Sequence, residues 1–123
     1  MILELNGIDV ECIIGERAEE RTRTQRLLVD VRLEIGDAAA ESDALSDTVD
    51  YAALTEKVRA ALVAAKCRMI ERAAKVVCDL CREDPKVRAA TVRVVKSGAV
   101  AHLASAAATY SSSSYGIIHA HET

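Results

Sequence analysis

Apolar side chains recur every three to four residues in the middle of this chain and every second residue towards its two ends. The helical spacing predicts two amphipathic helices within residues 46–81, the first beginning near Tyr51 with Asp50 as its N-cap. The period breaks at Lys66-Cys67-Arg68, which predicts a joint between the helices. The positions that carry the period are Leu54, Val58, Ala61, Leu62 and Ala65 in the first helix and Ile70, Ala73, Ala74, Val77 and Leu80 in the second.

The alternating spacing predicts four strands. The clearest covers residues 27–35, and another begins at Ile8, directly after an Asn6-Gly7 turn or bulge. A third strand covers residues 90–95, and a weaker one spans roughly Ser105 to Ser113. The charged residues 16–24 predict a solvated loop, and a short helical piece is expected around 38–40. The order β-β-α-α-β-β predicts an α+β fold, with one antiparallel four-stranded sheet and two helices on one face.

Length and composition favour one domain that assembles with copies of itself. A chain of 123 residues suits a single domain, predicted over residues 1–113 with a C-terminal tail at 114–123. Half of the residues are apolar, yet the sequence contains neither Phe nor Trp. The core must therefore be built from small aliphatic side chains, and we expect the fold to finish burying its surface in a homo-oligomer.

Charge and hydropathy argue against two classes of partner. The formal net charge is −3 and the isoelectric point is near 5.6, whereas a nucleic-acid partner would favour a basic face. No apolar run approaches the ~20 residues of a membrane span. The first residues lack the basic start and apolar stretch of a signal peptide. The sequence thus predicts a cytoplasmic protein that binds neither nucleic acid nor membrane.

The cysteine and histidine pattern does not predict a metal site. Cys78 and Cys81 form a CxxC, but it lies inside a helical pattern without the second pair that a zinc site needs. Both cysteines are interpreted as small apolar side chains. His119 and His121 form either a chelating pair or a solvated loose end, and the second interpretation is favoured because no further ligand lies nearby.

Four polar residues are candidates for chemistry, and each has a simpler explanation. Glu71 lies beside the apolar stripe of the second helix, where the alternative is a surface ion pair with Lys75. Tyr51 begins the first helix, where the alternative is an amphipathic core residue. Lys96 is otherwise a solvated strand end, and Glu20 a charge on a wet loop. Glu71 and Tyr51, at the starts of the two helices, are expected to face one pocket.

The spacing of these residues resembles that of the dihydroneopterin aldolase family over residues 8–110. The motifs that carry the resemblance are Ile14-Gly15 with Glu20 and Gln25, Ser42-Asp43, Thr48-Val49-Asp50-Tyr51-Ala52-Ala53, Ile70-Glu71-Arg72 and Val95-Lys96-Ser97-Gly98-Ala99-Val100. The resemblance implies the tunnelling fold, in which the sheets of four subunits join into a barrel ring, usually stacked in pairs as an octamer. It also implies active sites between neighbouring subunits, a small-molecule pterin substrate, and neither a metal nor a cofactor.

The family reaction is a retro-aldol cleavage of 7,8-dihydroneopterin into 6-hydroxymethyl-7,8-dihydropterin and glycolaldehyde. By resemblance, Lys96 is the proton carrier, Glu20 tunes it by charge, and Tyr51 exchanges the proton at the carbon that accumulates charge. The substrate's own N5=C6 imine can accept the electrons, so Lys96 need not form a Schiff base.

The same resemblance implies a set of substrate-binding residues. Glu71 would accept two hydrogen bonds from the 2-amino group and N3–H of the pterin. Ile70 and Val49 would be apolar neighbours of the ring, and Gln25 would orient the loop that carries Glu20.

Two alternatives stay open at this point. One is the related epimerase that acts on dihydroneopterin triphosphate, and the other is a non-catalytic ring that binds a pterin or simply assembles. The second draws support from Ser97, which stands where the family usually has proline, and from the Ser-rich end of the chain. The Ser97-Gly98-Ala99-Val100 segment resembles the aldolase turn more than the epimerase one.

Overall fold

The sheet predicted from the alternating positions is present in a computed structural model that describes residues 1–114. Its strands are β1 (Ile2–Cys12), β2 (Gln25–Glu34), β3 (Ala89–Ser97) and β4 (Ser105–Ser113). They pair antiparallel in the order β1-β2-β3-β4. The predicted four-stranded antiparallel sheet is confirmed. His119 and His121 lie outside the described residues.

Two long helices follow β2 and cover one face of the sheet. Helix α1 is a single turn at Ala38–Ser42, α2 spans Tyr51–Ala65 and α3 spans Ile70–Cys81. Asp50 caps α2 by accepting a hydrogen bond from the backbone N–H of Ala53 at 3.1 Å. The left-handed backbone of Lys66 (φ 45°) ends α2, as the predicted joint requires.

The core lies between the helices and the sheet. Helix α2 packs against β1, α3 packs against β3 and β4, and the two helices pack against each other. The core is built from small and medium aliphatic side chains, as the composition predicts. Its largest fully buried members are Val10, Ile14, Leu27, Val29, Val31, Leu33, Val58, Leu62, Val77, Cys78, Val92 and Val94.

The first strand begins earlier than the sequence predicted, and Asn6-Gly7 is a bulge within it rather than a turn before it. The pairing of β1 with β2 shifts register between Leu5 and Ile8. Gly7 has a φ of +73°, and its N–H donates to Oδ1 of Asp30 at 2.8 Å. Because Leu5 and Ile8 are both buried but three positions apart, the extra residue breaks a strict alternation.

The segment predicted as a solvated loop also differs from the expectation. Residues Ala18–Thr22 form a 3-10 helix, and one of its members, Glu20, is buried. Of the other charged side chains in this helix, Glu19 is exposed and Arg21 is half-buried.

The second face of the sheet carries no helix among residues 1–114. Exposed ion pairs lie across β1 and β2 on this face, with Arg26 2.8 Å from Asp9 and Arg32 3.4 Å from Glu4. The outer edges of β1 and β4 have no partner strand within the described chain. The same part of the chain contains no helix that is both long and apolar enough to cross a lipid bilayer.

Candidate active site

The ammonium of Lys96 lies on the buried face of β3. Side chains of a strand alternate between its two faces, and Lys96 continues the buried series of Ala90, Val92 and Val94. Only 8% of the residue is exposed. Its Nζ donates to Oε2 of Glu20 at 2.6 Å. The interpretation of Lys96 as a solvated strand end is therefore wrong.

The carboxylate of Glu20 is held by hydrogen bonds on both of its oxygens. Oε2 accepts from Lys96 and from Nε2 of Gln25 at 3.0 Å, and Oε1 accepts from the backbone N–H of Arg17 at 3.2 Å. The bond from Lys96, followed by the bond from Gln25, lowers the pKa of Glu20 to about 2, against an opposing effect of burial. Glu20 is thus an ionised, buried partner of Lys96 and not a charge on a wet loop.

Gln25 joins this pair to the end of β1. Its Nε2 also donates to the carbonyl oxygen of Ile14 at 2.7 Å, so one amide group contacts both the backbone before Gly15 and the carboxylate of Glu20. Gln25 is half-buried and does not line the cavity that opens beside Lys96.

Gly15 leaves the space that the carboxylate of Glu20 occupies. A Cβ atom added at Gly15 would overlap the carboxylate carbon and both of its oxygens. The φ of Gly15 is +132°, a backbone conformation that favours glycine. Only glycine therefore fits both the limited space and the backbone conformation at this position.

Arg21, which sequence reasoning missed, ties this segment to the joint between α2 and α3. Its Nη1 donates to the carbonyl oxygens of Gly15 at 3.0 Å and Cys67 at 3.1 Å, and its Nη2 donates to that of Lys66 at 2.6 Å. The only sequence signal for this residue is its position directly after Glu20, because no periodicity or motif marks a contact to a segment 45 residues further along.

A cavity of about 240 Å³ opens beside the Lys96–Glu20 pair. Both Ile70 and Glu71, at the start of α3, lie in its wall. Lys75 does not pair with Glu71, because its Nζ donates to Oδ2 of Asp79 at 2.7 Å. The surface-pair alternative for Glu71 is therefore wrong. The cavity is lined by Gly15, Glu16, Arg17, Glu20, Arg68, Met69, Ile70, Glu71, Lys96, Ala99, Val100 and Ala106.

Within one chain, Tyr51 and Val49 lie outside this cavity, so a single subunit does not bring Tyr51 and Glu71 into the expected common pocket. Tyr51 is 62% exposed, which also excludes the core interpretation, and it lines a separate cavity of about 620 Å³ beside the β1 bulge. Val49 is buried and borders a third cavity of about 370 Å³ near the end of α3. The reason is the antiparallel packing of the helices, which puts the start of α2 beside the end of α3.

The four cysteines are all buried and free. Burial raises the pKa of the Cys12 thiol to about 11 and that of the Cys81 thiol to about 12, and the pKa values of Cys67 and Cys78 are raised as well. These thiols stay protonated near neutral pH. Across residues 1–114, no three His, Cys, Asp or Glu side chains cluster closely enough to hold a metal ion.

The geometry therefore provides a buried lysine–carboxylate pair at the wall of a cavity, with a second carboxylate, Glu71, at another wall. An ammonium group hydrogen-bonded to a carboxylate can pass a proton to a bound molecule. An exposed carboxylate on a helix start can accept hydrogen bonds from a ligand. This combination suits acid–base chemistry on a small molecule that itself carries hydrogen-bond donors.

Comparisons with known proteins agree on one family. The family model FolB: Dihydroneopterin aldolase matches residues 3–111 of this chain. A dihydroneopterin aldolase from Streptococcus pyogenes serotype M3 is 38% identical over 84 residues, which cover 67% of this chain and 71% of that protein.

Solved structures show the same fold. The Escherichia coli dihydroneopterin aldolase in complex with neopterin superposes with a TM-score of 0.85 at 26% identity, and covers 91% of this chain and 98% of its own. A Vibrio cholerae protein named for the same enzyme superposes with a TM-score of 0.86 at 24% identity, over 92% of this chain and 97% of its own. At that lower identity the likeness concerns the fold alone.

Proposed function

The chain belongs to the dihydroneopterin aldolase family, and from this premise we propose that it cleaves 7,8-dihydroneopterin into 6-hydroxymethyl-7,8-dihydropterin and glycolaldehyde, a step of folate biosynthesis. The observation that carries the proposal is the buried Lys96–Glu20 pair at the wall of a cavity that also contains Glu71. The neopterin complex of the related Escherichia coli enzyme supports a pterin as the ligand.

The chemistry requires a base on one side of the broken bond and an electron acceptor on the other. As the side-chain hydroxyl of the substrate gives up its proton, the adjacent carbon–carbon bond breaks and glycolaldehyde leaves. The electron pair moves into the N5=C6 imine of the substrate, and a proton then adds at the carbon that stays on the ring. No oxidant, reductant or covalent enzyme adduct is needed for this balance.

In this mechanism Lys96 moves protons, directly or through a water molecule. Its Nζ lies 2.6 Å from the ionised carboxylate of Glu20. A proton carrier is favoured over a Schiff-base nucleophile, because the imine of the substrate already supplies the electron acceptor that a Schiff base would provide. Glu20 fixes the charge and position of Lys96, and Gln25 fixes Glu20 through its bond at 3.0 Å.

Glu71 is proposed to hold the pterin. Its side chain is exposed to the cavity and has no competing ion pair with Lys75, which leaves the carboxylate available for the 2-amino group and N3–H of the ring. Ile70, half-buried beside it, offers an apolar contact to the ring.

Tyr51 and Val49 are proposed to come from a neighbouring subunit. The cavity of about 240 Å³ is smaller than the ~300–1,000 Å³ usual for small-molecule sites, which suggests that a second copy supplies the missing wall. The exposed Tyr51 lies beside the bulged edge strand β1, and both sheet edges lack a partner within residues 1–114. We propose a ring of four subunits, doubled to an octamer. The cytoplasmic location and the 114–123 tail stay predictions.

An assay for glycolaldehyde release from 7,8-dihydroneopterin tests the function. Lys96→Met should lower the turnover number by about 10²-fold or more, the usual scale for the loss of a general acid–base group. Lys86→Met is the matched control, because Lys86 is exposed and lies outside the cavity. Circular dichroism checks that both variants fold.

Three results would contradict the proposal. Epimerisation of the substrate without glycolaldehyde would indicate the epimerase, and tight pterin binding without turnover would indicate a non-catalytic ring. A substrate adduct on Lys96, trapped by borohydride, would contradict the proton-carrier mechanism.

A further inference from the structure

Arg21 occupies a position that the proposed mechanism does not use. It belongs to the same 3-10 helix as Glu20 and is half-buried, but it does not line the cavity. All three of its hydrogen bonds go to backbone carbonyl oxygens, namely those of Gly15, Lys66 and Cys67. The guanidinium thus joins the segment that follows β1 to the joint between the two long helices.

A guanidinium suits this position for a physical reason. The last carbonyl groups of a helix have no partner within the helix, and a cation near them is favourable. Lys66 and Cys67 follow α2 directly, and the bond to Lys66 is short at 2.6 Å. The planar fork of arginine can reach several carbonyls at once, whereas the single ammonium of lysine cannot keep the same geometry. A backbone bond from Gly15 N–H to Cys67 O, at 3.3 Å, runs parallel to this link.

Each of the two joined segments continues into a wall of the cavity. The carboxylate of Glu20 occupies the space that a Cβ atom at Gly15 would take. The joint at Cys67 leads within four residues to Glu71. A shift between the segments would therefore change the separation between Glu20, which holds the proposed proton carrier, and Glu71, which is proposed to bind the pterin of the substrate.

We propose that Arg21 is a positioning residue for this reaction: it fixes the Glu20 segment against the start of α3 so that the proton carrier and the pterin-binding carboxylate keep their separation. The inference rests on the proposed function. Its competitor is a purely structural role, in which Arg21 caps α2 and contributes to stability alone.

Two substitutions separate geometry from charge. Arg21→Lys keeps the positive charge but loses the fork, and Arg21→Met removes both. Arg23→Met is the control, because Arg23 is exposed, lies two residues further along and makes no hydrogen bond or ion pair within the described chain. It removes one positive charge from the same segment of the chain.

We expect both Arg21 variants to lower kcat by about 10- to 100-fold, since displacements of about 1 Å at a reacting centre have effects of this size. The control should stay within about twofold of the parent. All proteins are compared at a temperature at which circular dichroism shows each of them folded. The KM for substrate should also rise in the Arg21 variants, because Glu71 moves with the joint.

A measurement without substrate accompanies the kinetics. NMR titration of protein with ¹³C-labelled glutamate follows the Glu20 carboxyl, whose pKa should move up from about 2 towards its ordinary value in both Arg21 variants and stay in place in the control. This movement is expected because a displaced Gly15 segment loosens the bonds on Glu20.

The outcomes distinguish failure of the inference from failure of the function. If both Arg21 variants melt earlier but keep the parent's kcat, KM and Glu20 pKa, Arg21 is only a helix cap and the inference is overturned. Full rescue by lysine would also overturn it, because charge would then suffice. If the parent protein releases no glycolaldehyde, the proposed function fails, whereas the NMR titration still decides whether Arg21 positions Glu20.

Discussion

The Glu20–Lys96 pair makes a quantitative prediction for stability in acid. Glu20 is ionised in the folded protein with a pKa of about 2, lowered chiefly by the hydrogen bond from Lys96, whereas the ordinary value is 4.5. A carboxyl group with a lowered folded-state pKa contributes stability above the unfolded value and loses it as the pH falls through the folded value. The contribution of Glu20 is therefore complete above about pH 4.5 and disappears towards pH 2.

The size of this stability contribution follows from the pKa shift of Glu20. Each pKa unit corresponds to about 1.4 kcal/mol, so the full shift would amount to roughly 3 kcal/mol. The two side chains are 10% and 12% exposed, and solvent at the cavity mouth screens the pair, so we expect about 2 kcal/mol. Most of it, roughly 1.5 kcal/mol, should be lost between pH 6 and pH 2.5.

The Glu20→Gln variant isolates the contribution of the Glu20 carboxyl to stability. Parent and variant are compared by urea unfolding at several pH values and one protomer concentration. The substitution also leaves Lys96 buried without its carboxylate, and this cost enters the comparison as an offset, whereas the pH-dependent part of the difference comes from the Glu20 carboxyl. The difference in unfolding free energy between parent and variant should therefore shrink by about 1.5 kcal/mol as the pH falls to 2.5. Glu19→Gln, at an exposed neighbouring position, should show no such convergence.

Parallel loss of stability in the parent and in Glu20→Gln would refute the reasoning. It would mean that the carboxyl of Glu20 is not held as an ionised partner of Lys96 in the folded protein. Because every other acidic group titrates in both proteins, the comparison is not affected by general acid unfolding.

Three further predictions concern the site. Gly15→Ala should abolish most activity because its Cβ displaces the adjacent carboxylate. Gly7 also has a positive φ but no neighbour within 4 Å of an added Cβ, so Gly7→Ala should only lower the melting temperature, and equal losses of activity in the two variants would contradict this. Glu71→Gln should weaken binding of a pterin analogue at least about tenfold in a fluorescence titration and change the unfolding free energy by well under ~1 kcal/mol. Unchanged affinity would remove Glu71 from the site. Mixed assembly of inactive Tyr51→Phe and Lys96→Met chains should restore activity at roughly a quarter of the sites if each site is shared between two copies, and a mixture that stays inactive would contradict the shared site.

Much of the fold follows from periodicity. The helical period placed α2 and α3, its break at Lys66-Cys67-Arg68 placed the joint, and the alternation in residues 27–35 gave the faces of β2. The position of Lys96 along its strand also indicated that its side chain is buried. Its place in the series after Ala90, Val92 and Val94 predicts the buried face, and a lysine on that face needs a partner.

Local pattern was insufficient where a long-range contact decides the structure. The residues around Glu20 are charged, and nothing in their order indicates burial, because the partner that makes burial favourable lies 76 residues away. The same holds for Arg21, whose three acceptors are backbone carbonyls that any residue type supplies. The β1 bulge obscured the early part of the strand because one extra residue shifts the alternation out of phase.

The distribution of the candidate residues over one chain has a simple geometric cause. Helices α2 and α3 run antiparallel, so residues at their two starts lie at opposite ends of the helical layer. Glu71 consequently faces the Lys96 end of the sheet, whereas Tyr51 faces the bulge of β1, an edge strand whose outer side has no partner among residues 1–114. If Tyr51 takes part in the reaction of Lys96, the two must meet across a contact between copies. The catalytic proposal and the proposed ring therefore depend on each other, and activity should disappear on dilution below the concentration at which the ring dissociates.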